Sequence, residues 1–245
     1  MKRGRLDSPV VPISTELATD RGRAALAALA ALTVSNVVSN QRMPLAAHVP
    51  WSLGLATGLV ALARWAGCSF RDLAMAPEDL PRGTHAGAAG AGLVTVGYGL
   101  MAATGTGSHL FRDTRVTALG RREAWWHLLV RIPISTVLAE EVAFRGVLPA
   151  LFHSPDRRRW MPGAISAVLF GVWHVLPSWQ GSRANGTDGR RASARATLID
   201  VAATTLAGGL LHFLRHRSGH LAAPAAVHLA ANAVGFVAAR KLGRR

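Results

Sequence analysis

Long apolar segments, separated by short and mostly basic polar stretches, dominate the pattern of the chain. Seven of them approach the roughly 20 residues that a helix needs to cross the hydrocarbon core of a bilayer. They cover residues 24–39, 44–63, 86–103, 125–152, 161–179, 196–214 and 221–239. Most lack the polar face that a helix of a soluble bundle presents to water. The pattern predicts an all-α, polytopic transmembrane bundle of seven or eight helices.

Composition and charge point to a membrane and away from nucleic acid. Charged residues make up 17% of the 245 residues, below the roughly 25% of soluble domains. The net charge is +15, but the arginines are scattered through the loops and form no single patch for nucleic acid. We therefore expect membrane lipids as partners. The one cysteine, Cys68, excludes an intrachain disulfide and a cysteine-based zinc site.

The first apolar segment predicts a retained membrane helix. It begins only after Arg21 and Arg23 and lacks a cleavage site at signal-peptide distance. The basic residues before it favour a cytoplasmic location for the segment 1–23.

Several apolar segments contain polar groups that are costly inside a bilayer and by default mark a functional site. Two of these groups are carboxylates, two are imidazoles, one is a guanidinium and one is an amide. They are Glu140, Glu141, Arg145, His174, His228 and Asn232.

Spacing allows both structural and functional interpretations of these residues. Glu141 and Arg145 are four residues apart and can form an intrahelical salt bridge that only neutralises both charges. Glu140 points about 100° away from Glu141 and has no obvious local partner, which favours a function. His228 and Asn232 are four apart and share one helix face. Together the residues supply a base, hydrogen-bond donors and an orienting amide, the groups that activate water and stabilise an oxyanion.

Three motifs, in this order, resemble those of the CPBP (Abi) family of intramembrane proteases, which includes the CAAX prenyl endopeptidases. They are Glu140-Glu141-x-x-x-Arg145, Phe170-x-x-x-His174 and His228-x-x-x-Asn232. The resemblance covers residues 128–235, with Ser218 where the family usually has threonine. It implies an all-helical fold around a buried, water-filled polar cavity, and we expect Glu140, His174, His228 and Asn232 to line that one cavity. It divides the chain into three parts: a cytoplasmic N-terminal segment over 1–23, N-terminal transmembrane helices and loops over 24–122, and a catalytic transmembrane core over 123–245.

The resemblance also implies a role for each residue of the site. Glu140 is expected to act as the general base, and His174 to hold the attacking water or shuttle its proton. His228 and Asn232 are expected to stabilise the oxyanion, with Glu141, Arg145 and Phe170 in supporting positions. The implied activity is glutamate-dependent hydrolysis, without a cofactor, of peptide bonds in a membrane-associated protein or peptide.

Two alternatives stay open. Glu140, His174 and His228 are a possible three-ligand zinc set, although the chain lacks the His-Glu-x-x-His arrangement on one helix. A non-catalytic immunity or scaffold protein is the second alternative, although a degenerate scaffold should have lost Glu140 or His228. In each case we expect an integral membrane protein, located in a bacterial cytoplasmic membrane.

Overall fold

Helices make up the regular structure throughout residues 19–41, 43–106, 113–187 and 189–242, the ranges that the computed structural model describes. Eight of them are continuous: α1 (Asp20–Gln41), α2 (His48–Trp65), α3 (Leu80–Thr104), α4 (Thr114–Ala118), α6 (Met161–Trp173), α7 (Val175–Ala184), α8 (Arg190–Ser218) and α9 (Ala222–Leu242). Helix α5 consists of five consecutive segments: Arg121–Trp126, His127–Leu138, Ala139–Glu141, Val142–Val147 and Leu148–Leu151. Most of the predicted segment 1–23 lies outside the described residues.

Six helical stretches are long and apolar enough to cross a membrane. They are Asp20–Gln41, Leu45–Trp65, Pro77–Thr104, Met161–Ala184, Arg190–Ser218 and Ala222–Lys241. They overlap six of the seven apolar segments of the sequence, and the remaining segment, 125–152, falls on the segmented helix α5. Large apolar side chains point outward, and Leu93 and Leu206 each expose 76% of their surface. The expected all-α, polytopic membrane bundle is confirmed, and the protein is an integral membrane protein.

Helix α5 lies at the centre of the bundle, in contact with α2, α6 and α9. Two of its segments, His127–Leu138 and Val142–Val147, are π-helical. Pro133 lies in the first of them, where its ring removes one backbone donor and displaces the preceding turn. Wider turns of this kind occur often at functional sites. They flank the short α-helical segment Ala139–Glu141, which carries both acids of the first motif.

The loop between α2 and α3 and the first turn of α3 anchor the turn between α8 and α9. Leu221 donates its backbone N–H to the Ala74 carbonyl oxygen at 2.8 Å, and Arg82 Nε donates to the Ser218 carbonyl oxygen at 2.8 Å. Gly219 ends α8 at a φ of +76°, a left-handed conformation in which glycine carries no steric penalty. This turn sets where α9, the helix of His228, enters the bundle.

Glycines on one face of α3 let α9 approach closely. These are Gly83, Gly87 and Gly90. A Cβ added at Gly87 would lie 2.9 Å from the Ala222 carbonyl oxygen and 2.9 Å from Ala226 Cβ. Small residues at such spacing are the usual means of close helix packing in lipid. The N-terminal half of the chain thus supports the helix that carries His228.

We expect Gly87→Ala to lower the free energy of unfolding by about 1–3 kcal/mol, the usual cost of overpacking. The added methyl group meets backbone atoms of α9, which cannot move without displacing the helix. Gly92→Ala on the same helix is the matched control, because a Cβ there meets nothing within 4 Å and alanine favours helix formation. Thermal unfolding in detergent measures both variants. Equal melting temperatures would contradict the packing argument.

Candidate active site

The acidic pair of α5 is buried against α9. Glu141 and Arg145 each expose 1% of their surface, and Glu140 and His228 each expose 8%. Arg145 Nη1 lies 3.2 Å from Glu141 Oε1, and His228 Nδ1 lies 2.7 Å from the same oxygen. Glu141 is therefore shared between the arginine of its own helix and the histidine of α9. The intrahelical Glu141–Arg145 ion pair that the spacing predicts is present, and Glu141 also contacts His228 on the neighbouring helix.

The contact with Glu141 fixes the orientation of the His228 ring. An ionised carboxylate only accepts hydrogen bonds, so His228 Nδ1 carries the proton and donates it. His228 Nε2 then lies on the side of Glu140, 3.8 Å from Oε2. That distance is too long for a direct hydrogen bond and short enough for one water molecule to contact both atoms.

Glu140 is held by only one of its two carboxylate oxygens. Trp173 Nε1 donates to Glu140 Oε1 at 3.1 Å. Glu140 Oε2 is buried and has no hydrogen-bond partner within the described residues. Asn36 Nδ2 on α1 donates to the Trp173 carbonyl oxygen at 2.8 Å, which ties α1 to this end of α6. A fixed carboxylate with one unpartnered buried oxygen is the arrangement that a bound water would complete.

Phe170 packs at the centre of the charged group. Its ring centroid lies 3.9 Å from Arg145 Cζ, a cation–π contact that is strengthened because both side chains are buried. The ring also contacts the imidazoles of His174 and His228 edge-on, at 4.6 and 5.9 Å between centroids. The Phe170 side chain thereby holds the arginine and both histidines in place.

His174 ends α6 and uses one ring nitrogen to bind the backbone. Its Nδ1 lies 2.7 Å from the Phe170 carbonyl oxygen. Because a carbonyl oxygen only accepts, Nδ1 is the donor, and Nε2 is left for water or a substrate.

A cavity of about 220 Å³ lies beside Glu140 and extends to the turn between α1 and α2. Glu140 and His174 both line it. Its polar lining comes from four helices and includes Ser35, Ser39, Asn40, His48, Ser52, Arg131, Ser135, Thr136, Glu140 and His174. The cavity is large enough for several water molecules and has the polar partners that water requires.

Asn232 does not join this group. It lines a separate cavity of about 410 Å³ together with Tyr98, Asp113 and Gly235. The expectation that Glu140, His174, His228 and Asn232 share one cavity therefore differs from the structure. Glu140 and His174 share a cavity, and His228 Nε2 lies 3.8 Å from Glu140 Oε2, whereas Asn232 lies one turn further along α9.

The predicted zinc ligands do not assemble a metal site. Within the described residues, no three His, Cys, Asp or Glu side chains converge with the geometry that a metal ion needs. His228 Nδ1 is bonded to Glu141 and His174 Nδ1 to a carbonyl oxygen, so each ring has one nitrogen left. Glu140, His174 and His228 therefore keep the donor atoms that zinc uses, but as placed they do not converge on one position.

Sequence reasoning missed Trp173, Asn36 and Arg131. Trp173 directly precedes His174 in the run LFGVWH, and this adjacency was the available signal for it. Arg131 is a charge inside an apolar segment, so the rule that selected Arg145 applies to it equally. Asn36 is a polar residue in the first apolar segment, and only the packing of α1 on α6 shows what it contacts.

We expect Trp173→Phe to lower the rate of peptide cleavage about 10-fold. The change removes the indole donor to Glu140 Oε1 but keeps an aromatic ring beside Phe144, whose centroid lies 5.7 Å away. A hydrogen bond to a charged group contributes about 1.5–3 kcal/mol. Initial rates and melting temperatures of both proteins measure the effect. A large fall in melting temperature with unchanged activity would show that the indole serves packing alone.

One comparison with known proteins gives a match, and it covers the helices that carry this site. Residues 122–234 match the family model described as type II CAAX prenyl endopeptidase Rce1-like. The matched range begins at the start of α5 and ends on α9, so it contains Glu140, Glu141, Arg145, His174 and His228. No curated protein matches the chain at a significant level. No solved structure matches it either. Over residues 122–234, just under half of the chain, the protein is similar to the CAAX prenyl endopeptidase family, and this similarity supports a membrane-embedded peptide hydrolase.

Proposed function

We propose that the protein is an intramembrane endopeptidase of a bacterial cytoplasmic membrane, in which Glu140 activates a water molecule. The observation that carries the proposal is the state of the Glu140 carboxylate. One oxygen accepts from Trp173 at 3.1 Å, and the other is buried, unpartnered within the described residues and 3.8 Å from His228 Nε2. A water seated between these two atoms would touch a base on one side and an imidazole on the other.

The chemistry follows from these contacts. Glu140 removes a proton from the water, and the water oxygen attacks the carbonyl carbon of the scissile peptide bond. The carbonyl oxygen becomes an oxyanion, which a protonated His228 Nε2 can stabilise because its charge is balanced by Glu141 through Nδ1. The C–N bond then breaks, and Glu140 returns the proton to the leaving amine nitrogen. One water is consumed, and a carboxylic acid and an amine are formed.

His174 is the second group that can bind the water. It lines the same cavity as Glu140, and its Nδ1 is already bonded to the Phe170 carbonyl oxygen. Its Nε2 is therefore available to accept a hydrogen bond from the water or to receive a proton. Asn232 stays outside the proposed catalytic group because it lines another cavity.

The test is cleavage of a library of short apolar peptides by the purified protein in proteoliposomes. Mass spectrometry identifies the products, and water labelled with heavy oxygen marks each new carboxyl group. We expect labelled products from the wild-type protein and none from empty liposomes. An absence of labelled products over the whole library, with the protein folded, would contradict the proposal and favour a scaffold role.

A further inference from the structure

Arg131 carries a partly buried guanidinium that lines the same cavity as Glu140. Its Nη1 lies 3.3 Å from His127 Nδ1, and this nitrogen must be the acceptor because a guanidinium accepts no hydrogen bond. Arg131 Nε is buried and has no hydrogen-bond partner within the described ranges. Of the acidic side chains in those ranges, none forms an ion pair with Arg131.

An uncompensated charge of this kind is expensive in a membrane protein. Arg145, on the same helix, shows the usual solution, because it is paired with Glu141 at 3.2 Å. Arg131 has only a neutral imidazole nitrogen as its side-chain acceptor. The Arg131 guanidinium is therefore placed to bind a negatively charged group of a molecule that enters the cavity.

The surroundings of Arg131 form the polar end of the cavity. His48, the first residue of α2, and Asn40, close to the end of α1, line it together with Ser135. Because α1 and α2 end here, this part of the cavity lies towards the membrane surface. Glu140 lies nine residues further along α5 and therefore deeper.

We propose that Arg131 binds a carboxylate of the peptide substrate, an inference that rests on the proposed function. Nine residues of helix span at most about 14 Å at roughly 1.5 Å per residue. An extended peptide covers that distance in about four residues, at roughly 3.3 Å each. The bound carboxylate therefore lies within about four residues of the cleaved bond. It is either the C-terminal carboxylate of the substrate or the side chain of an aspartate or glutamate.

The experiment uses the full-length protein in neutral phosphatidylcholine liposomes and one apolar peptide library in three forms. The first form has a free C-terminal carboxylate, and the second has a C-terminal amide and no acidic residue. The third has the amide and one internal glutamate. Initial cleavage rates are measured for the wild-type protein, Arg131→Gln, Arg131→Lys and Arg64→Gln. Arg64 is the control arginine, because it donates to the Cys68 carbonyl oxygen and lies outside this cavity.

We expect the wild-type protein to cleave one of the carboxylate forms about 10- to 100-fold faster than the neutral form, the range for hydrogen bonds to charged groups. The first and third forms distinguish a terminal carboxylate from a side chain. Arg131→Gln should reduce the preference to less than about 3-fold, mostly by slowing the carboxylate form, while Arg64→Gln keeps it. Arg131→Lys should keep part of it, because an ammonium lacks the planar fork that binds a carboxylate with two hydrogen bonds.

Two results would overturn the proposal. One is a wild-type protein that does not discriminate among the three forms. The other is a folded Arg131→Gln variant that keeps the preference, or, if that variant does not fold, an Arg131→Lys variant with an unchanged preference.

Binding separates this proposal from the proposed function. The affinity of a fluorescently labelled Leu/Ala peptide, as free acid and as amide, is measured for the wild-type protein and for Arg131→Gln. A preference for the acid that depends on Arg131, without cleavage of any library member, would contradict the proposed function and keep the carboxylate site. Cleavage without any preference between the acid and the amide would support the proposed function and contradict the carboxylate site.

Discussion

Glu140→Gln is expected to lower the rate of peptide cleavage by about 10²- to 10⁴-fold, the usual contribution of a general base. The amide keeps the shape of the side chain, and its oxygen can still accept the hydrogen bond from Trp173 Nε1, which lies 3.1 Å from Glu140 Oε1. It cannot accept a proton from water. We therefore expect a melting temperature close to that of the wild-type protein and products near the detection limit in the proteoliposome assay.

The matched control is Glu78→Gln, which makes the same chemical change at the surface. The Glu78 side chain is 58% exposed and pairs with Arg71. Exposed ion pairs contribute little to stability, so the control should keep full activity. Activity of Glu140→Gln within about 10-fold of the wild-type protein would contradict the role of Glu140 as the base.

Metal analysis of the same preparation tests the zinc alternative. Stoichiometric zinc, with activity that is lost to a chelator and restored by zinc, would assign Glu140 and the histidines to a metal site. The hydrogen bond of His228 Nδ1 to Glu141 Oε1 at 2.7 Å can stay in that case, because a zinc-bound histidine usually donates its other ring nitrogen to a carboxylate; the ligand side chains would have to move together around the ion. We expect activity that does not respond to the chelator.

The helical membrane architecture could be predicted from the sequence because it depends on a local property. An apolar stretch of sufficient length must satisfy its backbone hydrogen bonds internally, and a helix does so with its own residues. The sequence does not predict the π-helical segments of α5. Pro133 marks a position where regular helix is disturbed, but the extent of the wider turns depends on how α2, α6 and α9 pack around α5.

The site could be predicted as a list of residues but not as a set of contacts. Motif order identified Glu140, His174 and His228 by resemblance. That Glu141 and not Glu140 holds His228 Nδ1 depends on the relative rotation of α5 and α9, which no spacing within one helix encodes. Distances between helices were likewise needed to find the Trp173–Glu140 hydrogen bond.

Asn232 shows the limit of an argument from helix periodicity. A spacing of four residues places it on the face of His228, but about 6 Å further along the axis. In a small cavity that rise is enough to reach different surroundings, and Asn232 lines the cavity beside Tyr98 and Gly235. Residues that share a helix face share a site only where the site extends along the axis.

Glu141→Gln is expected to destabilise the protein by about 3–5 kcal/mol, the usual cost of removing one partner from a buried ion pair. Arg145 exposes 1% of its surface, and without Glu141 its charge keeps only weaker compensation, from the Phe170 ring 3.9 Å from Cζ and from the more distant Glu140 carboxylate. Unfolding in detergent, followed by the loss of helical signal, measures the difference. A variant as stable as the wild-type protein would show that the pair contributes nothing to the fold.

The double variant Glu141→Gln/Arg145→Met separates stability from chemistry. Replacing a buried ion pair by uncharged side chains of similar volume is often neutral or stabilising, so most of the lost stability should return. The introduced amide oxygen can still accept from His228 Nδ1, which lies 2.7 Å from Glu141 Oε1, but it brings no charge to balance a protonated imidazole. Hydrogen bonds to charged groups contribute about 1.5–3 kcal/mol, against about 1 kcal/mol for neutral ones. We therefore expect a stable protein whose cleavage rate stays about 10-fold or more below that of the wild type. Full recovery of both stability and activity would mean that Glu141 only neutralises Arg145, and that His228 needs an acceptor but no charge.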